Sequence, residues 1–147
     1  MERSQFRHFH TLPVRWGDMD ALGHVNNANY FRYLESGRIA YLEAVVGTSV
    51  GDTDTFPVLV DIQCTFKTPL HYPATIEVGS RVVRLGNSSL MLEAAIFPQG
   101  ATPPVATSRG VLVWCHRATD RPTPLPDPVR QGILAFEGGD LAGDPPL

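Results

Sequence analysis

The 147-residue sequence has no long hydrophobic run and few cysteines, and it has almost no lysine. No window approaches the roughly 18 consecutive apolar residues that a membrane-spanning helix requires, so the sequence predicts no transmembrane segment. With 43% hydrophobic and 18% charged residues, the composition is typical of a folded globular protein. The length corresponds to a single domain core.

The two cysteines, Cys64 and Cys115, lie far apart and form no CxxC pair. Disulfide scaffolds and structural zinc sites require a denser set of cysteines, so neither is expected. The polar N-terminus lacks the basic cap and apolar stretch of a signal peptide. We therefore expect a cytoplasmic protein.

Basic residues are scattered along the chain instead of being clustered. Lys67 is the single lysine beside eleven arginines, and the formal net charge is −3. No basic stripe is present, so we expect no nucleic-acid partner. One or two arginine contacts to a phosphate group remain compatible with this pattern.

Hydrophobic periodicity predicts one long helix and five strands in the order β-α-β-β-β-β. The first strand, over residues 6–16, is predicted at a sheet edge because Pro13 cannot donate a ladder hydrogen bond. Apolar residues at three-to-four spacing predict a helix from Asn27 to Val46, which Gly47 ends. The remaining strands are predicted at 57–66, 74–85, 88–98 and 105–116.

These elements predict an α+β fold in which an antiparallel β-sheet is wrapped around one long central α-helix. Gly37 interrupts the helix at a cost of about 1 kcal/mol relative to Ala, which indicates close approach of a neighbouring backbone or simple tolerance. Sheet edges and the outer sheet face need covering, so we expect a homodimer or homotetramer.

Two local predictions concern strand faces and the C-terminus. Alternation over 57–66 predicts one shared face for five residues, which are Val58, Val60, Ile62, Cys64 and Phe66. Residues 122–147 are rich in proline and glycine, and they predict a loosely ordered tail with at most a short helix around Val129–Phe136. The domain itself is predicted to span residues 1–121.

The loop before the helix concentrates groups that can perform chemistry. It contains Asp18, Asp20, His24 and Asn26, and the helix begins at Asn27. Free N–H groups at a helix N-terminus stabilise a developing oxyanion. A carboxylate beside them acts as a nucleophile or as a base toward water. Together these groups indicate an acyl-transfer site.

A metal site is not expected in this loop. Its Asp18-x-Asp20-x-x-Gly23 start is that of a calcium-binding EF-hand loop, but Leu22 and Asn29 occupy positions where that loop requires an oxygen ligand and a bidentate glutamate. His8 and His10 share one strand face, yet no third ligand is spaced to join them.

The segment from Trp16 to Tyr30 closely resembles the signature of the 4-hydroxybenzoyl-CoA thioesterase-like branch of the hotdog-fold superfamily. The resemblance extends more loosely through the helix and the stretch Cys64–Leu70, over about residues 6–117. It implies hydrolysis of an acyl-CoA thioester in a homodimer or homotetramer, without a metal or redox cofactor. By this resemblance Asp20 is the catalytic carboxylate, as nucleophile or general base, and the helix start near Asn27 polarises the thioester carbonyl.

The His-Val-Asn-Asn sequence at 24–27 is also similar to that of plant acyl-carrier-protein thioesterases. In those enzymes the Asp, an Asn two residues later and the His are all implicated. Leu22 stands at the position of that Asn here, so His24 is predicted as a catalytic helper without its usual Asn partner.

Further residues are predicted to contact the substrate. They are Asn26, Tyr30, Gln63, Arg84, Ser88 and Ser89. Gln63 is expected to point toward the site of a partner subunit. Arg84 suits bidentate contact with a CoA phosphate, and the turn at 86–89 offers hydroxyl and N–H groups near the place where hotdog relatives hold the nucleotide.

Two alternative functions stay open at this point. Hydration or dehydration of an acyl thioester on the same fold relies on a histidine paired with an acid. A non-catalytic acyl-CoA-binding module would use Asp20 only to structure the loop.

Overall fold

The structure of the chain, a computed structural model, describes residues 1–47, 53–139 and 141. Its helices are α1 (Asn27–Val46) and α2 (Asp127–Glu137). Its strands are β1 (His8–Val14), β2 (Thr55–Phe66), β3 (Ala74–Leu85), β4 (Ser89–Pro98) and β5 (Ala106–His116). The strands form one antiparallel sheet in the order β1-β3-β4-β5-β2. The predicted α+β arrangement is confirmed, and β1 is an edge strand as expected.

Helix α1 begins and ends where the sequence predicts. The Asn26 side chain caps its N-terminus by accepting a 2.9 Å hydrogen bond from the Ala28 N–H. Gly47 ends it in a left-handed conformation with φ of 76°. The residues of α1 that are buried are Tyr30, Tyr33, Leu34, Gly37, Arg38, Tyr41 and Leu42.

Gly37 is required by the close approach of β3. A Cβ atom at this position would lie 2.4 Å from Cγ1 and 2.8 Å from Cβ of Val78. The contact is with a strand side chain and not with the neighbouring backbone that the sequence suggested. The helix lies so near the sheet that no larger residue fits without displacement.

Strand β2 contains a bulge at Val60, where the register with β5 shifts between Leu59 and Asp61. A bulge reverses which residues face the core. Leu59, Ile62 and Cys64 pack toward the core, whereas Val60 is exposed. The prediction that Val60 shares a face with Ile62 and Cys64 is therefore wrong.

The short helix predicted around Val129–Phe136 is present as α2, and it is longer and better packed than the sequence indicates. Helix α2 spans eleven residues and buries Val129 and Ile133 in the main core. Proline occupies the first turn of α2, where its missing N–H is harmless, so the proline that suggested a loose tail instead marks a helix start. Residues 140 and 142–147 of the predicted tail lie outside the described residues, and the domain limit at residue 121 stays a prediction.

The first residues of the chain cover the outer face of the sheet. The Phe6 ring packs against Phe97 of β4 at a centroid distance of 6.0 Å. Arg3 forms a salt bridge of 2.5 Å with Glu77 of β3. Over the described ranges, no helix has the length and hydropathy needed to cross a membrane.

The sheet has two ends with different contents. Val14 pairs with Ala74, so the loop before α1 lies at the end where β3 begins. The turn at 86–89 follows Leu85, the last residue of β3, and lies at the opposite end.

Candidate active site

The loop before α1 folds as a narrow hairpin. The Asp20 N–H donates to the His24 carbonyl and the Asn26 N–H donates to the Asp18 carbonyl, both at 2.9 Å. Gly23, with φ of 84°, lies between the two arms. Because the second arm continues directly into α1, the hairpin holds the first arm beside the helix N-terminus.

Asp18 is a structural carboxylate with 2% of its surface exposed. It accepts hydrogen bonds from the Tyr33 hydroxyl at 2.6 Å, from the Arg15 N–H at 2.9 Å and from Arg15 Nε at 3.1 Å. Burial raises the pKa of this carboxyl, but the hydrogen bonds from Tyr33 and Arg15 outweigh burial, so the pKa is lowered. Asp18 fixes the loop to the helix and has both oxygens engaged.

Asp20 lies two residues further on and is partly exposed. Its Oδ1 accepts a 2.8 Å hydrogen bond from the Leu22 N–H. Within the part of the chain that the structure describes, this is the one hydrogen bond to its carboxylate. Its Oδ2 is therefore available to a water molecule or an acyl carbon.

The start of α1 contains an amide that is similarly available. Asn26 accepts from the Ala28 N–H through its side chain and from the Asn29 N–H through its carbonyl. The Asn27 N–H has no acceptor among the described residues. A donor left free at a helix N-terminus suits a developing oxyanion.

A cavity of about 370 Å³ lies beside this amide. Its lining residues are His24, Val25, Asn27, Tyr30 and the segment 66–69. The Tyr30 ring meets the Phe66 ring edge-on at 5.0 Å, and the Tyr30 hydroxyl accepts from the Leu70 N–H at 3.1 Å. Asp20 does not line the cavity itself, but its backbone N–H is hydrogen-bonded to the carbonyl of His24, and His24 lines the cavity.

Two residues beside this site were not predicted from the sequence. The His71 ring lies 5.1 Å from that of His24, and its Nδ1 is 3.1 Å from the Gly23 carbonyl oxygen. Lys67, the single lysine, lines the cavity. Lys67 falls inside the Cys64–Leu70 stretch of the family resemblance, and His71 follows that stretch directly. Their position in or next to this stretch is the sequence feature that could have indicated them.

The predicted site residues separate into two groups. His24, Asn27 and Tyr30 meet at the cavity, and Asn26 caps the helix beside it. Gln63 instead lines a separate cavity of about 180 Å³ with Thr65 and Arg109. The structure does not bring Gln63 to Asp20 within one protomer.

Arg84, Ser88 and Ser89 lie at the other end of β3. The C-terminal segment occupies the turn there, because Arg130 donates to the Gly86 carbonyl at 2.5 Å and to the Asn87 carbonyl at 3.2 Å. These three residues do not join Asp20 within one protomer, and their contact with substrate stays a prediction. No group of three or more His, Cys, Asp or Glu residues in the described ranges is placed to hold a metal ion.

A long helix on an antiparallel sheet, with a carboxylate held beside the helix N-terminus, is the arrangement of a hotdog-fold thioesterase. A family model agrees with this class: that of the thioesterase-like superfamily matches residues 14–133. The chain belongs to the thioesterase-like superfamily.

Solved structures are similar over nearly the whole chain. The PA5185 protein of Pseudomonas aeruginosa strain PAO1 is 34% identical, with a TM-score of 0.85 over 90% of this chain and 93% of that one. A thioesterase of Thermus thermophilus, solved in complex with coenzyme A and Zn, is also 34% identical, with a TM-score of 0.81 over 93% and 98%. The predicted hotdog fold and the predicted thioesterase class are confirmed.

A curated plant relative is more distant. The chain is 26% identical over 128 residues to the acyl-acyl carrier protein thioesterase ATL3 of Arabidopsis thaliana. The match covers 85% of this chain and 66% of that protein, so the chain spans just under two thirds of its length.

Proposed function

We propose that the chain hydrolyses acyl-CoA thioesters to the free acid and CoA, with Asp20 as the catalytic carboxylate. One observation carries this assignment. Of the two loop aspartates, Asp18 has both oxygens engaged, whereas Asp20 keeps an oxygen without a partner among the described residues. Attack on a thioester or activation of water requires such an oxygen.

The helix start supplies the second requirement, which is stabilisation of the oxyanion. The thioester carbonyl would accept a hydrogen bond from the Asn27 N–H, at the positive end of the α1 dipole. His24, which lines the same cavity, is proposed as a helper. Tyr30 and Asn26 would shape the substrate side of the site.

Two routes lead to the same products. As nucleophile, an Asp20 oxygen bonds to the acyl carbon, the CoA thiolate leaves, and water hydrolyses the mixed anhydride. As general base, Asp20 takes a proton from the water molecule that attacks the acyl carbon, and the thiolate leaves from the tetrahedral intermediate. The carboxylate and the amide supply the chemistry in both routes, and the proposal includes no cofactor.

The proposed substrate class rests on the family and on the acyl carriers associated with two relatives. The Thermus relative was solved with coenzyme A, and the Arabidopsis relative is named for acyl-acyl carrier protein. We propose CoA esters for this chain, in the cytoplasm, with neither nucleic acid nor membrane as partner. Gln63, Arg84, Ser88 and Ser89 would contact the substrate from a second subunit of a homodimer or homotetramer.

The hydratase alternative has less support. That chemistry pairs a histidine with an acid, and the ring beside His24 is His71 instead. No carboxylate among the described residues pairs with His24.

The proposal is tested by release of free thiol from short, medium, long and aromatic acyl-CoAs. We expect turnover of at least one ester by the wild type and a loss of about a hundredfold or more in Asp20→Asn. Asp61→Asn, an exposed change on β2, is the matched control and should retain full activity. Tight acyl-CoA binding by folded wild type without turnover would instead identify a binding module.

A further inference from the structure

The segment between β2 and β3, residues 67–73, is docked against the hairpin that carries the proposed catalytic carboxylate. The Leu70 carbonyl accepts a 2.9 Å hydrogen bond from the Val25 N–H, and the Leu70 N–H donates to the Tyr30 hydroxyl at 3.1 Å. Leu70 is buried, so packing holds this contact together with the hydrogen bonds. The next residue, His71, is thereby placed beside the hairpin.

His71 connects this segment to the tip of the hairpin, which we define as residues 20–24. Its Nδ1 lies 3.1 Å from the Gly23 carbonyl oxygen. A carbonyl oxygen only accepts hydrogen bonds, so Nδ1 carries the hydrogen, and in the neutral ring Nε2 carries none. The His71 ring also meets the His24 ring at 76°, with the centroids 5.1 Å apart. His71 therefore contacts two of the residues that form the tip.

The other hydrogen bonds of the tip are formed within the tip itself. The Gly23 N–H donates to the Asp20 carbonyl at 3.2 Å, and the Asp20 N–H donates to the His24 carbonyl at 2.9 Å. Leu22, between them, is 85% exposed. In the part of the chain that the structure describes, no side chain from outside the tip except His71 hydrogen-bonds to it. Segments with few buried contacts and exposed backbone hydrogen bonds open locally at little cost.

The base of the hairpin is fixed more firmly than its tip. Asp18 accepts three hydrogen bonds, from Tyr33 and Arg15, whereas the tip that carries Asp20 has the single side-chain bond from His71. A displacement of about 1 Å in a reacting group can cost about a hundredfold in rate. A side chain that holds the tip therefore influences the reaction without contact to the substrate.

We propose that His71 is a positioning residue, whose hydrogen bond to the Gly23 carbonyl holds the hairpin tip against the 67–73 segment. This bond keeps the Asp20 carboxylate beside the N-terminus of α1. The inference rests on the proposed function, in which Asp20 is the catalytic carboxylate, and it adds the side chain that orients it. The role requires neither contact with the substrate nor a change in the charge of His71.

The test compares His71→Leu with His71→Asn. Leucine and asparagine have nearly the same shape, but only asparagine carries an N–H donor at the position of Nδ1. We expect kcat for thiol release to fall about tenfold in His71→Leu and to stay within about twofold of the wild type in His71→Asn. KM should change by less than about twofold in both variants, since the bond orients a reacting group and binds no substrate.

A second measurement needs no substrate. Hydrogen exchange of the Gly23 N–H, followed by NMR, should become about fivefold faster in His71→Leu and should stay near the wild-type rate in His71→Asn. The Asn26 N–H, which bonds to the Asp18 carbonyl at the base of the hairpin, is the internal reference. Nitrogen-15 spectra of the wild type should show the neutral His71 ring with its hydrogen on Nδ1.

Controls separate a local effect from misfolding. His116→Leu makes the same change at another exposed histidine, in the last position of β5, and should leave kcat and the exchange of the Gly23 N–H unchanged. Because His71 is itself exposed, the urea midpoint of unfolding should stay close to that of the wild type in both His71 variants.

Four results would overturn the proposal: wild-type kcat in His71→Leu, an Asn variant as impaired as the Leu variant, equal exchange of the Gly23 N–H in all proteins, or a His71 ring with its hydrogen on Nε2. A rise in KM with kcat unchanged would also overturn it and would assign His71 to substrate binding. If the wild type hydrolyses no ester while exchange still separates His71→Leu from His71→Asn, the proposed function fails and the hold on the hairpin tip stands.

Discussion

The hairpin at 18–26 and the turn at 86–89 are both polar, glycine-containing segments, and the sequence predicts substrate contacts in each. They differ in how their polar groups are used. In the turn, the Gly86 and Asn87 carbonyls accept from Arg130, and the Asn87 carbonyl also accepts from the Leu125 N–H. In the hairpin, an Asp20 oxygen and the adjoining Asn27 N–H have no partner among the described residues. Segments of similar composition therefore differ in hydrogen bonding: backbone carbonyls of the turn are occupied, whereas the hairpin and the helix start keep an acceptor and a donor without a partner among the described residues.

The same contrast separates the two loop aspartates. Asp18 and Asp20 have the same side chain and lie two residues apart, yet Tyr33 and Arg15 donate hydrogen bonds only to Asp18. The carboxylate of Asp18 stabilises the loop, and that of Asp20 keeps one oxygen without a partner among the described residues. Substitutions at these positions are expected to affect different observables.

The largest expected effect is on activity at Asp20. Asp20→Asn should lower thiol release about a hundredfold or more while leaving the urea midpoint of unfolding unchanged, because its single hydrogen bond is local. The asparagine Oδ1 can still accept from the Leu22 N–H, which keeps the turn. Turnover equal to that of the wild type would remove Asp20 from the mechanism.

The second effect is on stability at Asp18. Asp18→Asn replaces a buried acceptor of three hydrogen bonds, and we expect a loss of about 2–3 kcal/mol in the free energy of unfolding from urea titration. Tyr33→Phe removes only one of these bonds and should cost about 1 kcal/mol. An Asp18→Asn protein as stable as the wild type would contradict the structural role.

The pH dependence of stability sharpens this assignment. The pKa of Asp18 is lowered below its ordinary value of 3.8 in the folded state, so its contribution is present above that value and is lost as the pH falls through the folded pKa. The pKa of Glu93, which burial raises, is nevertheless lowered by its bonds to Arg109 and Arg81. Urea unfolding between about pH 5 and pH 2 should show falling stability, with a shallower fall in Asp18→Asn. Equal slopes would argue against a lowered pKa at Asp18.

Arg130 tests the other end of the sheet. Arg130→Met removes the donor to two carbonyls of the turn and should cost about 1–2 kcal/mol of stability, with kcat unchanged. The comparison fails if Arg130→Met lowers kcat as strongly as Asp20→Asn does, since the turn would then belong to the catalytic site.

The smallest expected effect is that of a metal chelator. Exhaustive dialysis against EDTA should leave the rate of thiol release unchanged, because the proposed groups are a carboxylate and backbone amides. A loss of activity that added Zn²⁺ restores would show that the reaction depends on a metal ion.

Much of the fold follows from local patterns in the sequence. The limits of α1 agree with those predicted, because apolar spacing, the Asn26 cap and the Gly47 stop all act within a few residues of each other. The bulge at Val60 does not follow, since a one-residue shift depends on the register with β5. Helix α2 was underestimated because its burial depends on α1 and β3, which are distant in sequence.

The site shows the same limit. The loop could be predicted from its motif. Which of its two aspartates has an oxygen without a partner depends on the Tyr33 hydroxyl, which lies in α1 and bonds to Asp18. The 86–89 turn has the composition of an open turn, and Arg130, more than forty residues later, cannot be paired with it from the sequence. Arg38 follows the helical pattern as an ordinary charged residue, and only the packed helix reveals that it is buried.

The missing side chain at Gly37 has a consequence for how the protein tolerates change. Gly37 lies against Val78 at the middle of the twenty-residue helix α1, so an added methyl group would displace or tilt the whole helix relative to the sheet. The displacement would move the amide of Asn27, ten residues away at the start of the helix, although Gly37 itself makes no contact with substrate. In a library of random variants, substitutions at Gly37 should therefore lower activity although the residue does not contact substrate. Replacing Val78 with alanine in the same chain should restore activity to the Gly37→Ala variant.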